Sequence, residues 1–255
     1  MRMSGNTVLI TGGGSGIGRA LAEAFYSEGN EVIISGRRQE VLEEAIAAYP
    51  GMRAVAFDVA SPDSIRSFAE QMKREFPALN VVIHNAGIMR GEKFSNSEVS
   101  DAEAIIATNL LGPIRLTAAL LPHLAGKPDS VILTVSSGLA FVPLAVTPTY
   151  CATKAAIHSW TQSLRYQLRH TSVQVIELIP PYVQTELLGP QQAKDPAAMP
   201  LKDFIAETTS ILKNSPSAKE ICVQRVLPLR RAEAGGNYDQ FFATFNEHAS
   251  SQVRD

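Results

Sequence analysis

The sequence predicts an α/β protein built on a doubly wound parallel sheet of about seven strands, with helices on both faces. Short runs rich in β-branched residues alternate with longer helical stretches from the first residues onward. Several runs, such as Val81-Val82-Ile83 and Val131-Ile132-Leu133, are apolar without alternation, as strands buried on both faces should be. The chain has 255 residues, of which 45% are hydrophobic and 19% are charged, so it is long enough for one large core.

The strands are predicted at residues 7–11, 31–35, 53–58, 81–84, 130–136, 173–178 and 220–223. Helices are predicted at residues 16–28, 39–48, 62–76, 102–124, 149–169, 201–213 and 238–247. No internal repeat or interdomain linker is visible, so we expect one domain over residues 1–255. Residues 184–216 interrupt the rhythm with four prolines around the helix at 201–213. Because long loops in compact domains are usually functional, we interpret 184–216 as a substrate lid, the alternative being a plain surface connection.

Charge and cysteine content narrow the possible partners and the location. The formal net charge is -2 and no block of like charge is present, so nucleic acid is not an expected partner. Two cysteines without metal-ligand spacing predict neither a disulfide framework nor a metal site. The first residues lack the apolar stretch of a signal peptide, and no uninterrupted apolar run approaches 18 residues. We therefore expect a cytoplasmic protein without a membrane partner.

A glycine-rich turn follows the first predicted strand. It reads Thr11-Gly12-Gly13-Gly14-Ser15-Gly16-Ile17-Gly18 and leads directly into a helix. Glycines allow the backbone to approach a pyrophosphate, and the free N–H groups of the helix N-terminus face the anion. The turn therefore predicts a dinucleotide site, although a turn that only packs strand against helix is the alternative.

The end of the second strand indicates which dinucleotide is bound. An NAD-binding fold places an acid there for the ribose 2'-hydroxyl, but this chain reads Gly36-Arg37-Arg38. A guanidinium matches a phosphate, so Arg37, supported by Arg38, predicts NADP(H) in preference to NAD(H). Solvated surface arginines are the alternative. Asp58 is a candidate acceptor for the adenine amine, or a turn residue before the next helix.

Two side chains at the start of the helix at 149–169 point to proton transfer. Tyr150 and Lys154 lie four residues apart and therefore on one helical face. A nearby ammonium favours phenolate and lowers the pKa of a tyrosine, which suits a general acid or base. Ser137 ends the preceding strand, so its hydroxyl can meet the phenol at the carboxyl edge of the sheet, where open α/β sheets bind ligands.

In this order, the motifs resemble the short-chain dehydrogenase/reductase family over residues 7–185. The resemblance rests on TGGGSGIG at 11–18, Asp58-Val59, Asn85-Ala86-Gly87, Asn109 in TNLLG, Ser137 and YCATK at 150–154. The segments SSGLAFVPLAVTPTYCATKAA at 136–156 and PPYVQTEL at 180–187 are most similar to the bacterial branch of DltE-like oxidoreductases. The resemblance implies a single Rossmann-type domain and an oxidoreductase that moves hydride between a nicotinamide and a small carbonyl or secondary alcohol.

The resemblance also implies residue roles. Tyr150 would donate or take the proton, Ser137 would hydrogen-bond the substrate oxygen, and Lys154 would hold the nicotinamide ribose and lower the Tyr150 pKa. Asn109 would anchor a water beside Lys154, and Thr185 would bond the nicotinamide carboxamide. Together with the residues inferred above, the expected coenzyme contacts are Thr11, Gly12, Gly14, Ser15, Gly16, Ile17, Gly18, Arg37, Arg38, Asp58, Val59, Asn85, Ala86, Gly87, Tyr150, Lys154, Pro180 and Thr185.

The chain departs from the family pattern after the sixth strand, where Pro180-Pro181-Tyr182 replaces the usual Pro-Gly, and in its C-terminal tail. The pocket is expected to be largely apolar because Ile88, Met89, Leu139, Phe141 and Tyr182 flank the motifs. Apolar positions on more than one face of the helices at 102–124 and 149–169 predict a homodimer or homotetramer, as in the resembling family. A coenzyme-binding sensor or scaffold with little turnover is the alternative function.

Overall fold

A computed structural model describes residues 1–93 and 99–252, and in this part of the chain seven parallel strands form one sheet. The strands are β1 (Thr7–Thr11), β2 (Glu31–Gly36), β3 (Arg53–Ala56), β4 (Leu79–His84), β5 (Val131–Val135), β6 (Gln174–Ile179) and β7 (Glu220–Cys222). Their order across the sheet is β3-β2-β1-β4-β5-β6-β7, so the direction of sheet growth reverses between β1 and β4. The predicted fold class is confirmed, and each strand lies within two residues of its predicted bounds.

Helices join consecutive strands and cover both faces of the sheet. They are α1 (Gly16–Ser27), α2 (Gln39–Ile46), α3 (Pro62–Glu75), α4 (Ser100–Ile106), α5 (Gly112–Ala125), α6 (Pro148–Gln167), α7 (Leu201–Asn214), α8 (Leu227–Arg230) and α9 (Tyr238–Gln252). Successive side chains of a strand pack on opposite faces of the sheet. In β1, Val8 and Ile10 pack in one core with Phe25 of α1, whereas Leu9 packs in the other core with Leu116 of α5. This two-sided burial explains the continuous apolar runs.

The helix predicted at residues 102–124 is interrupted. A π-helical turn, Ala107–Leu111, separates α4 from α5, and the backbone N–H of Gly112 donates to the carbonyl of Ala107. Pro113 has no N–H, so it cannot make the bond that an α-helix would direct to the carbonyl of Asn109. The proline therefore explains why the regular helix stops at this point, and it leaves the Asn109 carbonyl without its α-helical donor.

The composition of the stretch from α4 to α5 bears on the expectation that the chain has no membrane-spanning segment. Taken together, Ser100–Ala125 is long and apolar enough in composition to cross a membrane, although no uninterrupted run reaches that length. In the structure its inner side packs on the sheet through the buried residues Leu116, Leu120 and Leu124. The stretch is therefore a core-packing element of the α/β domain.

Residues 184–216 consist of two different parts. Residues 184–200 run along the carboxyl edge of the sheet, with a short bridge between Val183 and Met199. Helix α7 instead packs against the core, and its side chains Phe204, Thr208 and Leu212 are buried. We therefore restrict the lid hypothesis to residues 184–200.

The division can be tested by stability measurements. Phe204→Ala removes a fully buried side chain and should lower the free energy of unfolding by about 3 to 5 kcal/mol. Leu188→Ala, at a position that is 45% exposed in the front part of the segment, should change it by less than about 0.5 kcal/mol. Urea titration followed by circular dichroism measures both. Equal effects of the two substitutions would place α7 outside the cooperative core.

Candidate active site

The glycine-rich turn brings the backbone of β1 and α1 into close contact. Gly12 and Gly16 adopt positive φ angles of 66° and 51°. A Cβ atom at Gly18 would lie 2.2 Å from the carbonyl oxygen of Gly12, and one at Gly13 would lie 2.6 Å from Cβ of Ile34. Only glycine fits these positions, so the turn holds a tight backbone conformation in front of the N-terminus of α1.

Thr11 and Asn85 fix this turn to the end of β4. The Thr11 hydroxyl accepts from the backbone N–H groups of Asn85 at 3.1 Å and Ala86 at 3.0 Å, and it donates to the carbonyl of Ile83 at 3.3 Å. In return, Asn85 Nδ2 donates to the carbonyls of Thr11 at 3.0 Å and Gly12 at 3.2 Å. Both loops at the switch point of the sheet therefore form one rigid unit.

A single cavity of about 1460 Å³ extends from this turn to the start of α6. Thirteen of the predicted site residues line it: Gly12, Ser15, Gly16, Ile17, Arg38, Asn85, Ala86, Gly87, Ser137, Tyr150, Lys154, Pro180 and Thr185. The structure thus brings the glycine turn and the predicted proton-transfer residues to one space at the carboxyl edge of the sheet.

Other predicted residues lie behind or beside the described wall of this cavity. They are Thr11, Gly14, Gly18, Arg37, Asp58, Val59 and Asn109. Asp58 Oδ1 accepts from the backbone N–H of Ala60 at 2.9 Å, which is the turn geometry weighed against an adenine contact. Val59 is buried and packs closely on the Gly112 position at the start of α5. Arg37 is exposed to solvent.

Tyr150 and Ser137 share the inner end of the cavity. The Ser137 hydroxyl accepts from the backbone N–H of Leu139 at 3.1 Å, which fixes its position after β5. Burial raises the pKa of the Tyr150 phenol, while its hydrogen bond with Ser137 lowers the pKa less strongly and the Cys151 thiol raises it further. The phenol is therefore held in its protonated form.

Lys154 is buried on the same face of α6. Its ammonium donates to the carbonyl of Val135 on β5 at 2.8 Å and lies 5.5 Å from the centre of the Tyr150 ring. Burial lowers the pKa of Lys154 to about 8, and the negative charge of Glu177 acts in the opposite direction. In this geometry Lys154 faces the strand carbonyl, so its expected effect on the Tyr150 pKa remains a prediction.

Asn109 joins three elements behind the cavity. Its side-chain Oδ1 accepts from the backbone N–H of Ile88 at 2.9 Å, while Nδ2 donates to the carbonyl of Ile88 at 2.9 Å and to Thr153 Oγ1 at 3.3 Å. A Cβ atom at Gly87 would lie 3.4 Å from Asn109 Oδ1 and 3.7 Å from Lys154 Nζ. Asn109 is thus close to Lys154, and its role as a water anchor remains a prediction.

Two features of the site were missed by sequence reasoning. The Glu92 carboxylate accepts from the backbone N–H of Thr149 at 3.0 Å and from its hydroxyl at 2.6 Å, so it caps the first turn of α6 directly before Tyr150. Phe245 of α9 lines the cavity, and its neighbour Asn246 accepts from the backbone N–H of Ala145 at 2.6 Å. No local spacing signals either contact.

The substrate end of the cavity has a mixed lining. Ile88, Met89, Leu139 and Tyr182 line it as expected, whereas Phe141 packs against the His158 ring outside the described wall. Charged residues share the lining: Arg90, Glu92, Lys93, Glu186, Lys194 and Asp195. The Tyr182 hydroxyl donates to Asp195 Oδ2 at 3.0 Å, and burial together with this contact raises the pKa of Tyr182 to about 12.

Known proteins share this sequence and architecture. Residues 6–196 match the short chain dehydrogenase family model. An uncharacterized oxidoreductase, DltE of Bacillus subtilis (strain 168), is 41% identical over 251 residues, which cover 96% of this chain and 98% of the relative. An uncharacterized oxidoreductase of Staphylococcus aureus (strain MW2) is 29% identical over 223 residues, covering 86% of this chain and 96% of the relative.

Solved structures agree with the fold. A short chain dehydrogenase/reductase from Burkholderia phymatum in complex with NAD superposes with a TM-score of 0.81 at 20% identity, covering 92% of this chain and 95% of that one. The closed form of a serine dehydrogenase complexed with NADP+ gives a TM-score of 0.75 at 27% identity, covering 84% of this chain and 91% of that one. With the family model matched over most of its length and a DltE-like relative along nearly all of it, the chain belongs to the short-chain dehydrogenase/reductase family of oxidoreductases.

Proposed function

We propose that this oxidoreductase uses NADP(H) to move hydride between the nicotinamide and a carbonyl or secondary alcohol, with Tyr150 as general acid and base. The observation that carries the proposal is the shared cavity, in which the glycine turn and the group Ser137, Tyr150 and Lys154 face the same space. Such a cavity at the switch point of an open α/β sheet is the usual place for a dinucleotide and its substrate.

The residues around the glycine turn fit a dinucleotide. A Cβ atom at Gly12 would lie 2.8 Å from Cα of Ala86, so only glycine lets the turn pack this closely against the loop after β4. Gly12, Gly16 and Ile17 would hold the pyrophosphate at the positive end of α1. Lys154 would hold the nicotinamide ribose and Thr185 the carboxamide. The bound coenzyme supplies the hydride donor or acceptor.

The proton chemistry follows from the burial of the phenol. Because Tyr150 is kept protonated, it can donate to the oxygen of a carbonyl that is being reduced, and the Ser137 hydroxyl can hydrogen-bond the same oxygen. In the oxidation direction, the Lys154 ammonium is the positive charge that would stabilise the phenolate. The substrate is a small molecule, and we propose that its apolar part lies near Leu139, Met89 and Tyr182.

The groups at the end of β2 support a preference for NADP(H). Gly36 offers no carboxylate to a ribose 2'-hydroxyl, and Arg38 lines the cavity. Both arginines are exposed, but Arg37 lies outside the described cavity wall, so we assign Arg38 the larger share of phosphate binding. A Cβ atom at Gly36 would meet Leu42 Cδ2 at 3.6 Å, an ordinary contact, so an acidic side chain fits there.

We also propose a cytoplasmic homodimer or homotetramer that does not bind nucleic acid or membranes. Only 39% of the most apolar window in Ser100–Ala125 is buried within the chain, and Ile106 is exposed on it. Exposed small residues continue this surface on α6: Ala152 and Ala155. An apolar face formed by two neighbouring helices is typical of a subunit interface.

Substitution of the phenol tests the mechanism. Tyr150→Phe should reduce turnover by about 10²- to 10⁴-fold because it removes the transferable proton and little core volume. Tyr166→Phe, which removes the same hydroxyl from a side chain that is 68% exposed on the same helix, should have no effect. The loss of NADPH absorbance with a broad carbonyl panel is the measurement. Coenzyme binding by wild type without turnover on any carbonyl would instead support the sensor alternative, and near wild-type turnover of Tyr150→Phe would refute the mechanism.

Coenzyme preference is tested by fluorescence titration with NADPH and NADH. Charge-assisted hydrogen bonds contribute about 1.5 to 3 kcal/mol each, so we expect wild type to bind NADPH roughly ten- to several-hundred-fold more tightly. Arg38→Ala should remove most of this preference without changing NADH affinity, and Arg37→Ala should remove less. Gly36→Asp should repel the phosphate and favour NADH. Equal dissociation constants of wild type for the two coenzymes would show that the arginines are only surface charges.

The proposed interface is tested by a pair of matched substitutions. Ala155→Arg places a charge on the apolar face of α6, and Ala206→Arg places the same charge on the exposed side of α7. Light scattering should show a 27.5 kDa monomer for the first variant only. A monomeric wild type at micromolar concentration would contradict the proposal.

A further inference from the structure

A row of polar side chains lies between α6 and the sheet, and it begins at Lys154 in the cavity wall. Lys154, His158, Thr161 and Arg165 follow one another along one face of the helix. Thr161 Oγ1 lies 2.8 Å from Thr134 Oγ1 on β5, and Arg165 Nε donates to a carbonyl of β6 at 2.9 Å. This row continues from the active site into the protein.

Glu177 on β6 is the acidic member of this interface, and its side chain is fully buried. It is the register partner of Thr134, so both side chains point to the α6 side of the sheet. Residue 134 directly precedes Val135, whose carbonyl accepts from Lys154. The carboxylate of Glu177 therefore lies under the same stretch of α6 as the Lys154 ammonium.

His158 holds the Glu177 carboxylate in place. Its Nδ1 lies 3.0 Å and 2.8 Å from the two carboxylate oxygens, and its Nε2 lies 2.9 Å from Nε2 of Gln162. Both ring nitrogens of His158 therefore have partners, and the ring is held between the carboxylate and Gln162. This contact fixes the Glu177 carboxylate beside a residue that lies one helical turn along α6 from Lys154.

The other charged groups around Glu177 have partners of their own. Arg230 of α8 donates to both oxygens of Glu220 on β7, at 2.9 Å and 3.0 Å. The side chains of His158, Glu177 and Glu220 bring possible metal-ligand atoms within 4.8 Å of one another. The Arg230 guanidinium already supplies a cation to this cluster. Arg165 donates to two backbone carbonyls, and the charges of Glu177 and Glu220 partly offset the lowering of its pKa by burial. The remaining titratable neighbour from β7 is the thiol of Cys222.

Lys154 is the one cation at the catalytic end of this row among the described residues, and it contacts a carbonyl but no carboxylate. Burial lowers the pKa of Lys154, and Glu177 is the group that raises it. Removing water from a cation stabilises the neutral amine unless a buried anion compensates.

We propose that Glu177 is a positioning residue for the active site: its buried carboxylate, oriented by His158, keeps Lys154 charged beside Tyr150. The consequence rests on the proposed role of Lys154 in holding the coenzyme ribose. Glu177 allows the Lys154 ammonium to persist to higher pH. Tight coenzyme binding, which depends on that ammonium, then persists over the same wider pH range. Glu177 itself lies outside the described cavity wall and touches no reacting atom.

The charge on Lys154 can be measured without turnover. Protein labelled with ¹⁵N at lysine Nζ is titrated by NMR, and the Lys154 signal is assigned with Lys154→Arg. Glu177→Gln keeps the shape and the hydrogen bond acceptor for His158 but removes the charge. It should lower the pKa of Lys154, which is about 8 in wild type, by about one pH unit or more. Since the ammonium is then lost at lower pH, the alkaline limit of NADPH affinity should move down by the same amount.

Glu220→Gln is the matched control because it removes a neighbouring carboxylate that is paired with Arg230. It should leave the Lys154 pKa unchanged. An unchanged pKa in Glu177→Gln, or an equal decrease in both variants, would overturn the proposal. If Glu177→Gln does not fold, Glu177→Asp, which withdraws the charge by one methylene, must still lower the pKa. The NMR result holds even if no carbonyl substrate is turned over, so failure of the proposed function is separately visible.

Discussion

The contact between Thr11 and the end of β4 determines the geometry of the site. The sheet order reverses between β1 and β4, so the helices that follow these strands leave on opposite faces and open a crevice between them. The Thr11 hydroxyl accepts hydrogen bonds from two backbone N–H groups in the loop after β4. The Asn85 side chain in that loop donates two hydrogen bonds to carbonyls of Thr11 and the glycine turn. Without these bonds the two loops would have no fixed spacing, and the cavity behind them would lose one rigid wall.

Helix α6 forms the opposite wall and fixes the position of the proposed proton-transfer groups. Glu92 caps its first turn, and the row from Lys154 to Arg165 bonds its inner face to β5 and β6. Tyr150 is therefore carried on a helix that is fixed at its start and along its length. Such preorganisation is what places a phenol accurately beside a substrate oxygen, because a misplaced donor contributes little to proton transfer.

Residue spacing in the sequence predicted the features that depend only on neighbouring residues, namely buried strands and residues that share a helical face. Buried parallel strands must be apolar on both faces, so continuous runs such as Val81-Val82-Ile83 could be recognised directly. Tyr150 and Lys154 share a face because a helix repeats every 3.6 residues. The cap by Glu92 on Thr149 and the pairing of His158 with Glu177 depend instead on which segments meet in three dimensions. The π-helical turn has a local cause in Pro113, but the loss of the α-helical donor to the Asn109 carbonyl became visible only in the backbone of the structure.

Burial acts on the two titratable groups of the site in a way that requires a third. Exclusion of water raises the pKa of the Tyr150 phenol and lowers that of the Lys154 amine, because each neutral form is better accommodated in an apolar surrounding. For the phenol this favours the proposed role as proton donor. For the lysine it opposes the charge that the proposed ribose binding and phenolate stabilisation both need. An anion buried nearby offsets part of the second effect without exposing the phenol to water, and Glu177, oriented by His158, is such an anion. Under the proposal made above, the carboxylate on the strand beneath α6 is what allows a site that excludes water to keep its lysine charged.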